Sequence, residues 1–235
     1  MTTTPEKLSH PWSSGSLFTK ATRYAQEMQA NSREDWRFGL NSTFVLEFLA
    51  RAALAEVSPV LLAEAKDWNN LYFGLGNNPK AQRFIPKSID TTSVLSRLRD
   101  IYPTFTSEHE GFAAQHINRR NEELHAGSLP FDGLPTTWLA AFYSTSKVLL
   151  APLSRDLAAL FGAEEAALAE NLIAASRDES AKAVQKAVAA HKLVWEGKDP
   201  EEKQKSIAQA ATWATRTSGH RVKCPACSCD ALVGT

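Results

Sequence analysis

The chain has 235 residues, and its 26 lysines and arginines are balanced by 26 aspartates and glutamates, so the formal net charge is zero. That length supports one or two domains with a real core, and 43% hydrophobic with 22% charged residues excludes a disordered or collagen-like chain. The run considered as a membrane span, 148–153, contains Pro152 and is far shorter than the roughly 18 residues needed; the start, Met-Thr-Thr-Thr-Pro-Glu-Lys, lacks an apolar signal core, so no membrane segment and a cytoplasmic location are expected.

Helical periodicity dominates. After Ser14-Gly15-Ser16, a first helix carries Leu17, Phe18, Tyr24, Ala25 and Met28 at spacings near three and four. Asp35-Trp36-Arg37 opens a second, with Phe38, Val45, Leu46, Leu49 and Leu54, ending before Ser58-Pro59. Ser58 as N-cap with Pro59 at the first helical position predicts a third helix through Leu61, Leu62, Ala65, Trp68, Leu71 and Tyr72, stopped between Gly74 and Pro79. Residues 77–90 read as a loop. Val94, Leu95, Leu98 and Ile101 then form a short helix ending at Tyr102-Pro103, and Thr106 or Ser107 caps the next, with Glu108 and Glu110 in its first turn. That helix runs to about Ala126, where Gly127 predicts a left-handed stop. After the loop 128–135, an apolar helix from Trp138 to Leu157 is expected, kinked at Pro152. Gly162 separates it from an Ala-rich stretch, 163–195, whose polar middle, Ser176 to Lys182, reads as exposed or broken. Asp199-Pro200 opens a last helix through Trp213. No run of alternating β-branched residues marks a strand, and no repeat is visible, so the expected fold is all-α.

The segment Asn118-Arg119-Arg120-Asn121-Glu122-Glu123-Leu124-His125-Ala126-Gly127 carries the chemistry. With Phe112 at the origin, a step of about 100° per residue puts Ala113, Ile117 and Leu124 on one apolar face, and Arg120 falls inside that arc. A guanidinium among core-facing residues is costly unless it is paired or used. Asn121 and His125, one turn apart, lie at the border of the same face.

This pattern resembles the HEPN superfamily, helical bundles that carry Arg, then four to six residues, then His, often with Asn directly after Arg. Arg120-Asn121 with His125 fits the four-residue spacing, at the end of a helix and before a glycine. The resemblance covers 16–162. It implies a HEPN-like helical bundle there, preceded by an N-terminal extension (1–15) and followed by additional C-terminal helices (163–219) and a partial zinc-ribbon-like tail (220–235).

The resemblance also implies metal-independent RNA cleavage by attack of the 2′-hydroxyl, leaving 2′,3′-cyclic phosphate ends, in a toxin or phage-defence effector that needs no catalytic cofactor. His125 would act as general acid or base, a role suited to a side chain that changes charge near neutral pH. Arg120 would hold the scissile phosphate and offset the charge developing on it. Asn121 would orient the imidazole or the phosphate, and Arg119 would add an RNA contact. Arg120 and His125 are about 140° apart around the wheel, too far for a single-helix site. Two helices facing across a twofold axis bring the groups together, which is how HEPN nucleases usually assemble, so a homodimer is expected. RNA and a regulatory or antitoxin protein complete the expected partners. With no charge surplus, RNA recognition must come from a few placed groups.

The residues themselves leave another reading open. Arg120 is then a buried structural cation bonded to Glu47, Glu110 or a carbonyl, with His125 a helix C-terminal cap. The chain would then be a catalytically inactive RNA-binding or protein-interaction module. His109 and His116 have no partner visible in the sequence and default to core or surface positions.

All three cysteines, Cys224, Cys227 and Cys229, lie near the end of the chain. Cys224-Pro225-Ala226-Cys227 looks like the first knuckle of a zinc ribbon, which makes structural zinc the expected cofactor of the tail. Three accounts stand: a second Cys-x-x-Cys outside this chain, which ranks first; a ligand set of His220, Cys224, Cys227 and Cys229; or a disordered remnant.

Overall fold

In the computed structural model, which describes residues 10–80, 82–216 and 220–233, short polar side chains set where the helices begin. Ser13 accepts from the Ser16 N–H ahead of α1 (Ser14–Gln29), and Asp35 from the Arg37 N–H ahead of α2 (Trp36–Val57). Asp67, Asp90 and Asp156 do the same for α3 (Trp68–Gly74), α4 (Thr91–Ile101) and α7 (Leu157–Phe161). Each such cap satisfies an N–H group that the helix leaves open, a contribution of about 1 kcal/mol. Thr106 is the N-cap of α5 (Ser107–His125), its own N–H donating to His109 Nδ1 at 3.2 Å. The remaining helices are α6 (Leu139–Leu150), α8 (Ala163–Glu196) and α9 (Pro200–Arg216).

The chain divides into two units, Met1–Ile173 and Ala174–Thr235, with the division inside α8. The first unit is a helical bundle built around α2. Six residues, 30–35, join α1 to α2, so the two pack as an antiparallel pair. Ala21, Ala25 and Met28 of α1 are fully buried, as are Val45, Leu46, Leu49 and Leu54 of α2. Burying each Leu, Val or Met of this set contributes about 1.5–3 kcal/mol relative to exposure. By length and composition α2 also matches a membrane span, yet 67% of its most apolar window is covered by the protein, as the central helix of a bundle requires. Polar ties brace the unit: Arg33 donates to both Glu165 oxygens at 2.9 Å and to Tyr143 Oη at 3.2 Å, and Tyr143 donates to Glu165.

One glycine on α2 is required by space. A Cβ at Gly39 would lie 2.4 Å from Phe131 Cδ1, and Phe131 is itself buried. Gly39→Ala should therefore destabilise the protein by about 1–3 kcal/mol through overpacking. Thermal denaturation reads this as a lower Tm, and an unchanged Tm would show that Phe131 does not seat on α2.

Several expectations are corrected. The helix predicted from Ser58 is a 3-10 turn, Pro59–Leu62, because residues 62–64 pair with the returning segment 87–89: Ile89 N–H donates to Leu62 O at 2.9 Å and Glu64 N–H to Lys87 O at 3.1 Å. Helix resumes only at Trp68, after the Asp67 cap. Gly127 makes no left-handed stop, since α5 ends in an extended Ala126; among the described residues the glycines with positive φ are Gly76, Gly133 and Gly162. Leu124, placed on the apolar face by the wheel, is 56% exposed, because the buried part of α5 stops at Ile117. At Pro152 the chain breaks rather than kinks: a 3-10 turn, Ala151–Leu153, and a left-handed Ser154 separate α6 from α7. Of the two readings open for Ser176 to Lys182, the structure has the exposed one, helical throughout.

The second unit holds the rest of α8, α9 and a hairpin that periodicity did not show. Strands β1 (His220–Lys223) and β2 (Asp230–Val233) pair antiparallel, His220 opposite Val233 and Lys223 opposite Asp230. Four-residue strands are too short to display alternation; the turn between them and the Lys223–Asp230 ion pair, 2.5 Å, fix the register instead.

Candidate functional site

Arg120 arrives from α5 on a carboxylate of α2. Its Nη1 donates to Glu47 Oε2, while Nε and Nη2 donate to Asn121 Oδ1 at 3.3 and 2.9 Å. The other Glu47 oxygen accepts from Arg51 Nε and Nη2 at 3.2 and 3.1 Å and from Thr91 Oγ1 at 3.1 Å. One carboxylate thus holds two guanidinium groups, one a helical turn away on α2 and one from across the bundle. Their side chains are only 12–16% exposed, a degree of enclosure that charges tolerate when paired and hydrogen-bonded. Glu47 was one of the structural partners open to Arg120 from the sequence, and the fold selects it.

The two arginines differ in what they have left. Arg51 also donates to Ser88 Oγ, Ile89 O and Thr91 Oγ1, at 3.1, 3.2 and 3.4 Å, which engages all its donors. Among the described residues Arg120 engages three of its five, which leaves two N–H groups for a ligand. Both arginines line a polar cleft of about 370 Å³ with Asn118, Asn121 and the first residues of α4.

Arg119 turns elsewhere, to a residue that sequence reasoning left without a role. His116 is fully buried, stacked on Phe112 and packed against the tilted ring of Trp138, and accepts from Arg119 Nη1 at Nδ1, 3.2 Å. With Nδ1 the acceptor, the neutral ring carries its proton on Nε2 and donates to Ser42 Oγ at 2.7 Å; Ser42 donates onward to Gly39 O at 2.6 Å. The hydroxyl proton therefore points away from the imidazole, and this buried Ser–His pair is a structural brace rather than an activated nucleophile. Burial, with the Arg119 charge second, pushes His116 down to about 3. Phe131, Trp138 and Phe142, which come from beyond α5, were the missing signal.

That shift gives a stability prediction. The unfolded imidazole takes a proton near pH 6.5 and the folded one near 3, so the contribution is complete above pH 6.5 and declines as pH falls toward 3. The decline is about 1.4 kcal/mol per pH unit within that window. Melting curves between pH 7 and 5 should show it, and His116→Gln should flatten the slope. Equal slopes in the two proteins would contradict the assignment.

His125 is the last residue of α5 and is exposed, and helix closure there comes from Ala126 N–H to Glu122 O at 2.9 Å. Among the described residues no hydrogen bond joins His125 to Arg120 or Asn121, nor does it line their cleft. The structure therefore brings Arg120 and Asn121 together and leaves His125 outside, with exposed Leu124 and Leu129 in the same stretch of chain.

In the tail, the Ala226 and Cys227 N–H groups donate to Cys224 Sγ and hold this thiol below its usual range. Cys224 and Cys227 fit one edge of a tetrahedral thiolate site. His220 is not brought to them: it stands at the open end of the hairpin, about 13 Å along the strand from Cys224. Cys229 is buried, its Sγ directed at Cys227 O, 3.7 Å away.

In comparisons with known proteins, no family model, no curated protein and no solved structure matches this chain.

Proposed function

We propose that this chain is a HEPN-type endoribonuclease that acts as a homodimer. The observation supporting it most is Arg120: a guanidinium fixed by Glu47 and Asn121 at the wall of an open polar cleft, with two donors left, on the same helix as an exposed histidine. Those donors suit a phosphate oxygen, whose growing negative charge they offset. The 2′-hydroxyl oxygen attacks phosphorus and gives up its proton, the bond to the 5′-oxygen breaks, and that oxygen takes a proton. The products are a 2′,3′-cyclic phosphate and a 5′-hydroxyl. His125 of one copy supplies one of these proton transfers beside Arg120 of the other, since the two do not meet within one chain. The exposed Leu124 supports an interface at this end of α5. A toxin or defence role in the cytoplasm, held in check by a protein partner, fits such an activity.

One observation favours a second reading, the non-catalytic module: the Glu47–Arg120 pair is what a purely structural cation would make. RNA incubated with the purified chain and a chelator separates the two. Cleavage to cyclic phosphate ends, by a species of twice the chain mass, is expected; intact RNA would overturn the nuclease and leave the module.

A further inference from the structure

We propose that Cys224 and Cys227 form half of a tetrathiolate zinc site, completed by the same two residues of a second copy of this chain. The turn joining β1 to β2 is prearranged to present them. Ser228 N–H donates to Cys224 O and Cys224 N–H to Cys229 O, both at 2.9 Å, and Ser228 takes the left-handed conformation, φ 58°, that closes the turn. The N–H groups of Ala226 and Cys227 are directed at Cys224 Sγ, and hydrogen bonds of this kind, from outside the coordination sphere, orient a sulfur ligand.

Two thiolates leave a structural zinc two ligands short. No further pair is placed on this hairpin: Cys229 is buried against Cys227, His220 is at the other end, and the described residues contain no group of three His, Cys, Asp or Glu side chains placed to hold a metal. An identical turn from a second copy supplies two sulfurs in matching geometry. The surroundings suit that approach. The cysteines border a groove of about 440 Å³ whose other wall is an apolar stripe of α8, including Val184, Val188, Val194 and Trp195. Val184 and Val194 are 62% and 65% exposed, an arrangement that a second copy would cover. Lys198 lines the same groove and offsets the negative charge that four thiolates leave on the complex.

This bridge does not rest on the ribonuclease assignment, which concerns the other unit. Zinc content of the reduced full-length chain, measured after dialysis, should be about one ion per two chains. Cobalt substituted for zinc should show the charge-transfer absorption of four sulfur ligands. Cys224→Ser and Cys227→Ser should each abolish retention; if either variant misfolds, the ratio and sulfur count of the unaltered chain still decide. One ion per chain, fewer than four sulfurs per ion, as ligation by the nearby His191 would give, or no retained zinc would each overturn the proposal.

Discussion

His125→Ala should lower RNA cleavage by about 10²–10⁴-fold, the range for losing a positioned acid or base, and should leave the fold as stable as before. The second half follows from placement. His125 is exposed at the helix end and makes no hydrogen bond or ion pair with another described residue, so truncation should change stability by no more than about 0.5 kcal/mol. A lost rate with an unchanged Tm isolates chemistry from folding. Arg120→Ala should cost about 10²–10³-fold, as removal of one preorganised donor site does. Its removal leaves Glu47 bonded to Arg51 and Thr91, so this variant should also fold. Because an ammonium cannot hold Glu47, Asn121 and a phosphate in one plane, Arg120→Lys should recover little activity. Unaltered cleavage in both alanine variants, or cleavage that requires added magnesium, would defeat the mechanism.

Glu47→Ala should have the largest effect on stability, about 3–5 kcal/mol, the usual consequence of removing one partner from an enclosed ion pair. It leaves the Arg51 and Arg120 guanidinium groups facing each other without the carboxylate between them. Chemical denaturation should show a lower midpoint at unchanged slope. In the double variant Glu47→Ala/Arg120→Ala part of the loss should return, since one of the stranded charges is gone, and the mutant cycle should report a coupling above about 0.5 kcal/mol. A Glu47→Ala cost under about 1 kcal/mol would mean that the cluster behaves as a solvated surface pair.

Local signals carried the architecture. Asp35, Thr106 and the Pro200 start each marked a helix end that the fold uses, because capping is decided within a few residues. Features that depend on distant partners were not legible. The segment after Ser58 has helical spacing and loses its helix to residues 87–89; His116 looked idle until Ser42, Arg119 and a shell of aromatic rings closed on it. Within the candidate site, Arg120 announced itself as a cation on an apolar face, and Glu47 could be named among its partners from the energetic need alone. Arg51 lies one turn from Glu47 on α2, within reach by spacing alone, whereas Arg120 and Thr91 meet the same carboxylate only through the packing of α2 against α4 and α5. Leu124 was misplaced because a helical wheel carries no information about where the neighbouring helices end.

The seating of Phe131 on Gly39 bears on His125 as well as on the core. Between them run only residues 126–130, and Ser128 Oγ reaches back to Glu122 Oε1 at 3.1 Å, so the segment is an arch with footings on α5 and α2. Its span, more than its composition, limits how far the end of α5 can swing. An insertion in the arch would leave α5 and every contact of Arg120 intact and still change how the chain beyond His125 returns to α2, which makes loop length here a variable of the site's border in its own right.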